Sequence, residues 1–125
     1  MSRKRVGYFE GTDSGLLTYL ICHGYDTIPI SNGVDGHGRY IRRINENNRF
    51  DLLVGYLHKI YAPEEYETKH QDVFHICRVF RMPLLLEIPR ELQDRAKTLL
   101  GEMPKEVRLA DPSEILDAAL ELLAD

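Results

Sequence analysis

The chain has 125 residues, 43% of them apolar, and a formal net charge of −4 from 29% charged residues with interspersed signs. That length suits one domain, residues 1–125, with a real core, and the composition argues against wholesale disorder. It excludes a nucleic-acid binder that works through bulk positive charge, and no apolar run approaches the roughly 18–20 residues needed to cross a bilayer.

The elements alternate strand and helix five times. The basic start Ser2-Arg3-Lys4-Arg5 reads as a solvated terminus running into a first strand, Arg5–Phe9. A first helix is expected over Asp13–His23, with Leu16, Leu17, Leu20 and Ile21 on its inner face and Gly24 as its stop. The second strand is Asp26–Ile30. A loop with three glycines, Ser31 to Gly38, leads into a second helix over Gly38–Asn47. The third strand, Phe50–Leu57, is almost wholly apolar, as a strand buried on both faces should be. A third helix starts near Pro63–Tyr66 and continues to Arg81, with Val73, Phe74, Cys77 and Phe80 as its stripe. The fourth strand is Pro83–Ile88. A fourth helix runs from Pro89–Arg90 to Gly101, with Leu92, Ala96, Leu99 and Leu100 inward. The fifth strand is Glu106–Ala110. The last helix has Asp111 as N-cap, Pro112 at its first position and Glu114 at its third, a capping-box arrangement.

Alternation of this kind implies a three-layer α/β fold with a five-stranded parallel sheet covered on both faces. Pro29 cannot donate to a ladder, which puts the second strand at an edge. The alternation of Val107 and Leu109 with Glu106 and Arg108 puts the fifth strand at the other. The order 2-1-3-4-5 satisfies both and is a common doubly wound, flavodoxin-like or Rossmann-like arrangement. Cys22 and Cys77 sit among apolar residues and read as two buried thiols in a reducing cytoplasm. No signal peptide is visible, because the first apolar segment is short and carries Glu10 and Asp13.

Ligands of such sheets bind outside the carboxyl ends of the strands, at the switch point. Three loops meet there. The loop after the first strand holds Glu10, Gly11, Thr12, Asp13 and Ser14. The loop after the second holds Ser31, Asn32, Gly33, Asp35, Gly36 and His37. The loop after the third holds His58, Lys59 and Tyr61. Glycines there can aim backbone N–H groups at an anion. Glu10, Asp35 and His58 are the acid–base candidates. Each residue also has a plainer reading: Thr12 or Asp13 caps the first helix, the glycines shape a turn, and His37 faces solvent. His23, His70 and His75 read as surface or packing residues. The cofactor is open; a Mg²⁺ held by one or two carboxylates is more plausible than a structural zinc.

Two family resemblances follow from particular stretches. From about Gly33 onward the chain resembles the methylglyoxal synthase-like group. The points of likeness are the glycine loop into a helix, the strand Phe50-Asp51-Leu52-Leu53-Val54, a proline-containing loop, and the strand Met82-Pro83-Leu84-Leu85. That resemblance implies binding of phosphorylated or anionic metabolites. Glu10-Gly11-Thr12-Asp13 looks like the Glu-Gly-x-x-Asp start of toprim domains, which implies Mg²⁺-dependent nucleic-acid chemistry. The acid pair that such chemistry needs after the later strand is replaced by Tyr56-Leu57-His58-Lys59. The preferred expectation is a cytoplasmic domain that binds a small anionic metabolite, with no nucleic-acid or membrane partner. The alternative is a non-enzymatic regulatory protein or a homo-oligomeric assembly protein, in which Tyr40, Tyr61 and Tyr66 form an interface.

Overall fold

The computed structural model describes residues 3–9, 11–30, 49–57 and 70–124. Five parallel strands form one sheet: β1 (Arg5–Phe9), β2 (Asp26–Ile30), β3 (Leu52–Tyr56), β4 (Leu84–Glu87) and β5 (Val107–Ala110). Their order is β2-β1-β3-β4-β5, with β2 and β5 at the edges as Pro29 and the alternation of the fifth strand imply. The described helices are α1 (Ser14–Cys22), α2 (His70–Phe80), α3 (Gln93–Leu100) and α4 (Ile115–Leu123). The expected helix over Gly38–Asn47 lies outside the described residues. Among the described residues no helix is long and apolar enough to cross a membrane.

The sheet separates two apolar layers. One face buries Phe9, Leu53, Leu84 and Leu86 against Val73, Phe74 and Cys77 of α2 and Ala96 and Leu100 of α3. The other buries Val6, Leu52, Val54 and Leu85 against Leu16 and Leu20 of α1 and Ile115, Ala118, Ala119 and Leu123 of α4. β3 and β4 are buried on both sides because helices cover both, which is why they read as continuous apolar runs.

Two strand glycines are demanded by packing. A Cβ on Gly55 would lie 2.6 Å from Phe9 Cδ2, and one on Gly7 would lie 2.9 Å from Leu53 Cδ2. The missing side chains make the room into which neighbouring groups settle.

Helix ends follow their local chemistry. Gly24 takes a φ of 94°, and Tyr25 N–H bonds to Leu20 O at 3.1 Å, closing α1 in a Schellman motif. α2 ends the same way with Met82 N–H on Cys77 O at 2.9 Å, but the left-handed position is filled by Arg81, φ 52°.

Several expectations are corrected. Cys77 is buried as expected, and burial pushes its thiol up to about 12, with Glu106 nearby adding to the shift. Cys22 is exposed rather than buried. Ile21 is exposed (51%), and so are Leu92 (45%) and Leu99 (53%); only Ala96 and Leu100 of the expected α3 stripe are buried. α3 is shorter than expected, because Arg90–Leu92 is a 3₁₀ turn.

The basic start is not merely solvated. Arg3 Nε lies 2.9 Å from Gly24 O and 3.1 Å from Asp26 Oδ1. Lys4 Nζ donates to Leu123 O at 2.6 Å, at the end of α4. Arg5 sits 4.8 Å over the Phe50 ring and donates to Arg49 O. These side chains fasten loops and helix ends to the amino end of the sheet, opposite the expected site.

Candidate functional site at the carboxyl end of the sheet

β1 and β3 are neighbours, while the chain passes from β1 outward to β2 first. The switch point therefore lies at their carboxyl ends, where the strand pattern put it. After Phe9 the chain turns sharply. Gly11 has a φ of 95°, which a Cβ-bearing residue rarely adopts. Thr12 closes the turn by donating its N–H (3.2 Å) and its hydroxyl (2.6 Å) to Phe9 O. Asp13 then caps α1, its Oδ2 accepting from Leu16 N–H at 3.0 Å. The Asp13 N–H donates in turn to Tyr56 Oη, at the end of β3, at 3.2 Å. Ser14 opens α1, and its carbonyl accepts from the Thr18 hydroxyl at 2.9 Å.

Tyr56 pairs in register with Glu87 at the end of β4, and its hydroxyl donates to the Glu87 carboxylate. Burial raises the Glu87 carboxyl above its ordinary 4.5; the Tyr56 bond opposes this, and the charges of Asp13 and Asp111 add to it. Burial likewise raises the Tyr56 hydroxyl, seconded by the charge of Glu87. Asp111, after β5, accepts from the Ser113 hydroxyl at 2.6 Å and from Ser113 N–H at 3.1 Å, and from Arg90 N–H at 2.8 Å. Those bonds, the Ser113 hydroxyl first, hold its carboxyl down to about 2. Glu114 pairs with the Arg90 guanidinium.

Of the candidate residues, Gly11, Thr12, Asp13 and Ser14 are thus brought to this end of the sheet. Thr12 and Asp13 carry out the turn and cap work of their plainer reading. Glu10, Ser31, Asn32, Gly33, Asp35, Gly36, His37, His58, Lys59 and Tyr61 lie outside the described residues, as do Tyr40 and Tyr66. Sequence reasoning missed Tyr56 and Glu87. A signal for Glu87 existed: it is the one acid within the run Pro83–Ile88, and acids are depleted in strands. Tyr56 carried none, since a tyrosine ending an apolar strand is ordinary.

Chemically, the described part of this end is a chain of satisfied hydrogen bonds with a surplus of carboxylates. Asp13, Glu87, Asp111 and Glu114 stand against Arg90. Among the described residues no three His, Cys, Asp or Glu side chains are grouped to hold a metal ion. Alongside, on the outer face of α1, Ser14, Gly15, Thr18, Tyr19 and Cys22 line an open hollow of about 320 Å³.

No family model matches the chain, and no curated protein does. Solved structures do. A CheY-like response regulator from Mesorhizobium loti is 14% identical, covers 97% of this chain and 99% of its own, and has a TM-score of 0.48. The phosphorylated cyanobacterial phytochrome response regulator RcpA is 14% identical, covers 98% and 89%, and has a TM-score of 0.47. Such a likeness reaches no further than the layout of strands and helices. It corrects both family resemblances: the matching structures are response regulators rather than methylglyoxal synthase-like or toprim proteins. The motifs behind those resemblances were a glycine loop, an apolar strand and a four-residue turn. All are features that any parallel α/β sheet needs at its strand ends.

Proposed function

We propose that this chain is a regulatory or assembly domain of the cytoplasm, which works by presenting its surface to a second protein or to another copy of itself. One observation carries the reading. The described polar side chains at the switch point are committed to one another, and their balance is acidic: Asp13 and Asp111 are caps, and Glu87 is held by Tyr56. An anion approaching these residues would meet carboxylates, and those of Asp13 and Asp111 already accept hydrogen bonds from the chain. Exposed apolar side chains give the surface something to offer. Leu92 and Leu99 lie two turns apart on one side of the 3₁₀ turn and α3, and Tyr19 and Ile21 lie on α1.

The metabolite reading rests on Glu10, Asp35, His58 and the glycines of residues 31–38, and no observation of the described residues favours it. Two measurements on the full chain separate the readings. Light scattering across a concentration series should show association beyond the monomer. Thermal shift with phosphorylated sugars, nucleotides and Mg²⁺ should leave Tm unchanged. A monomer at every concentration whose Tm rises with a phosphorylated compound overturns the proposal.

A further inference from the structure

The described helices join parallel strands and run back against them, so their amino ends gather at the carboxyl end of the sheet and their carboxyl ends at the other. An acid is favoured at a helix amino end and a cation at its carboxyl end. In this fold those local preferences add along one axis. At the carboxyl end of the sheet Asp13 caps α1. Glu91 and Asp94 stand in the first turns of the 3₁₀ segment and α3, and Glu114 and Asp117 in those of the last 3₁₀ segment and α4. Arg90 stands among them and is paired with Glu114.

The amino end of the sheet has the opposite balance. Arg78 and Lys97 lie in the last turns of α2 and α3. α1 and α4 carry no base in their last turns, and Arg3 and Lys4 take that place by donating to Gly24 O and Leu123 O. Arg49, Arg81 and Lys105 are exposed two or three residues ahead of β3, β4 and β5, which are adjacent strands. With strands about 4.8 Å apart, the three strand starts span about 10 Å. Two acids of this end are committed: Asp26 pairs with Arg3 at 3.1 Å, and Asp51 accepts from Arg5 N–H at 2.8 Å. Glu102 and Glu106 offset part of the excess. Among the described residues the two ends of the sheet are thus complementary in charge.

We propose that copies of this chain associate head to tail, a form of the self-association proposed above, with the acidic carboxyl end of one sheet docked on the basic amino end of the next. The contact is heterologous. Each copy keeps one end of each kind open, so nothing stops growth at two copies and stacks lengthen with concentration. Like ends repel, which fixes the polarity of the stack. Exposed ion pairs are individually weak and are screened by salt, so the contact depends on the sum over both ends and is lost at high ionic strength.

Sedimentation velocity on the full chain over a concentration series tests this at about 0.01 M and about 1 M salt, where charges are screened over about 30 Å and about 3 Å. At low salt, species larger than a dimer should appear and grow with concentration. At high salt the mean mass should return to that of the monomer. Arg49→Glu with Lys105→Glu removes the basic end and keeps the acidic one; Glu91→Lys with Asp117→Lys does the reverse. Each double variant, with unchanged far-UV circular dichroism, should stay monomeric at low salt. Their mixture should pair, because one supplies an intact acidic end and the other an intact basic end. Association that persists at high salt and in both variants overturns the head-to-tail contact and leaves self-association through another surface standing. Variants that remain monomeric when mixed overturn it too. A chain that is monomeric at every salt and concentration overturns the contact and self-association together.

Discussion

Phe9 lies over Gly55 so closely that a Cβ at residue 55 would come within 2.6 Å of the ring. β1 and β3 are adjacent and parallel, and the ring of the last β1 residue uses the space that the missing side chain leaves on β3. The ring belongs to the buried cluster that includes Leu53, Leu86 and Ile30, so it cannot swing away without opening the core. Gly55→Ala is therefore expected to destabilise the fold by about 1–3 kcal/mol, the usual cost of overpacking. Gly7→Ala should cost less, because its nearest atom, 2.9 Å away, is the end of the flexible Leu53 side chain. Urea midpoints of the two variants, at unchanged slope, check the ranking.

Removing the Tyr56 hydroxyl takes away the acceptor of Asp13 N–H and the donor to Glu87 together. Each such bond contributes about 0.5–1.5 kcal/mol net, and partial exposure of this end lets water take up part of the loss. Tyr56→Phe should lower global stability by about 1 kcal/mol, read from urea unfolding, with little change in far-UV circular dichroism.

The order of the strands was legible because two edge signals, Pro29 and the alternation around Arg108, put β2 and β5 outside, and the common doubly wound order supplied the arrangement between them. The helix faces were less so. Residues one position apart on a helix differ by about 100° in direction. Leu20 therefore faces the sheet while Ile21 faces out, and Leu100 is buried while Leu99 is not. An apolar stripe read as broad admits both members of each pair. The packing that decides between them is tertiary: α1 meets the sheet and α4 along a narrow seam of Leu16 and Leu20. At the site, turn and cap residues were legible because Thr12 and Asp13 act on their own neighbours in sequence. The link from Asp13 to Tyr56 joins positions 43 residues apart, and nothing local announces it.

Arg81 fills the left-handed position after α2, where α1 and α3 have Gly24 and Gly101. A side chain at a φ of 52° carries roughly 1–2 kcal/mol of strain. Glycine removes it but loses more freedom on folding. The strain is the larger, so Arg81→Gly is expected to stabilise by about 0.5–1 kcal/mol, seen as a higher urea midpoint at unchanged slope.

The two thiols should differ sharply toward an aromatic disulfide reagent near neutral pH. Cys22 is exposed on α1 and should react at a rate close to that of a free thiol. Cys77 is buried, with its thiol pushed up to about 12, so it lacks both access and thiolate. One equivalent should be released promptly in native buffer and the second only on unfolding. Cys22→Ser should remove the prompt phase. Two prompt equivalents would mean that α2 leaves the sheet readily.

Asp111 and Glu87 set opposite limbs of the stability profile. The Asp111 carboxyl is lowered from 3.8 to about 2, so its contribution is complete above 3.8 and is lost as pH falls from there toward about 2. Glu87 is raised above 4.5, so its contribution is complete below 4.5 and is lost as pH rises through its folded value. For these two groups the optimum lies between 3.8 and 4.5, on the acid side of neutrality. The urea midpoint measured against pH should show both limbs. Glu87→Gln should flatten the upper limb and leave the lower one. Asp111→Asn should remove much of the lower limb and leave the upper, because the amide can no longer accept from Ser113 and Arg90 as an anion. A carboxylate with several donors and a carboxylate among carboxylates thus stand at neighbouring strand ends. Glu87 is raised first by burial and then by the charges of Asp13 and Asp111, whereas Asp111 is lowered by its donors, the Ser113 hydroxyl first.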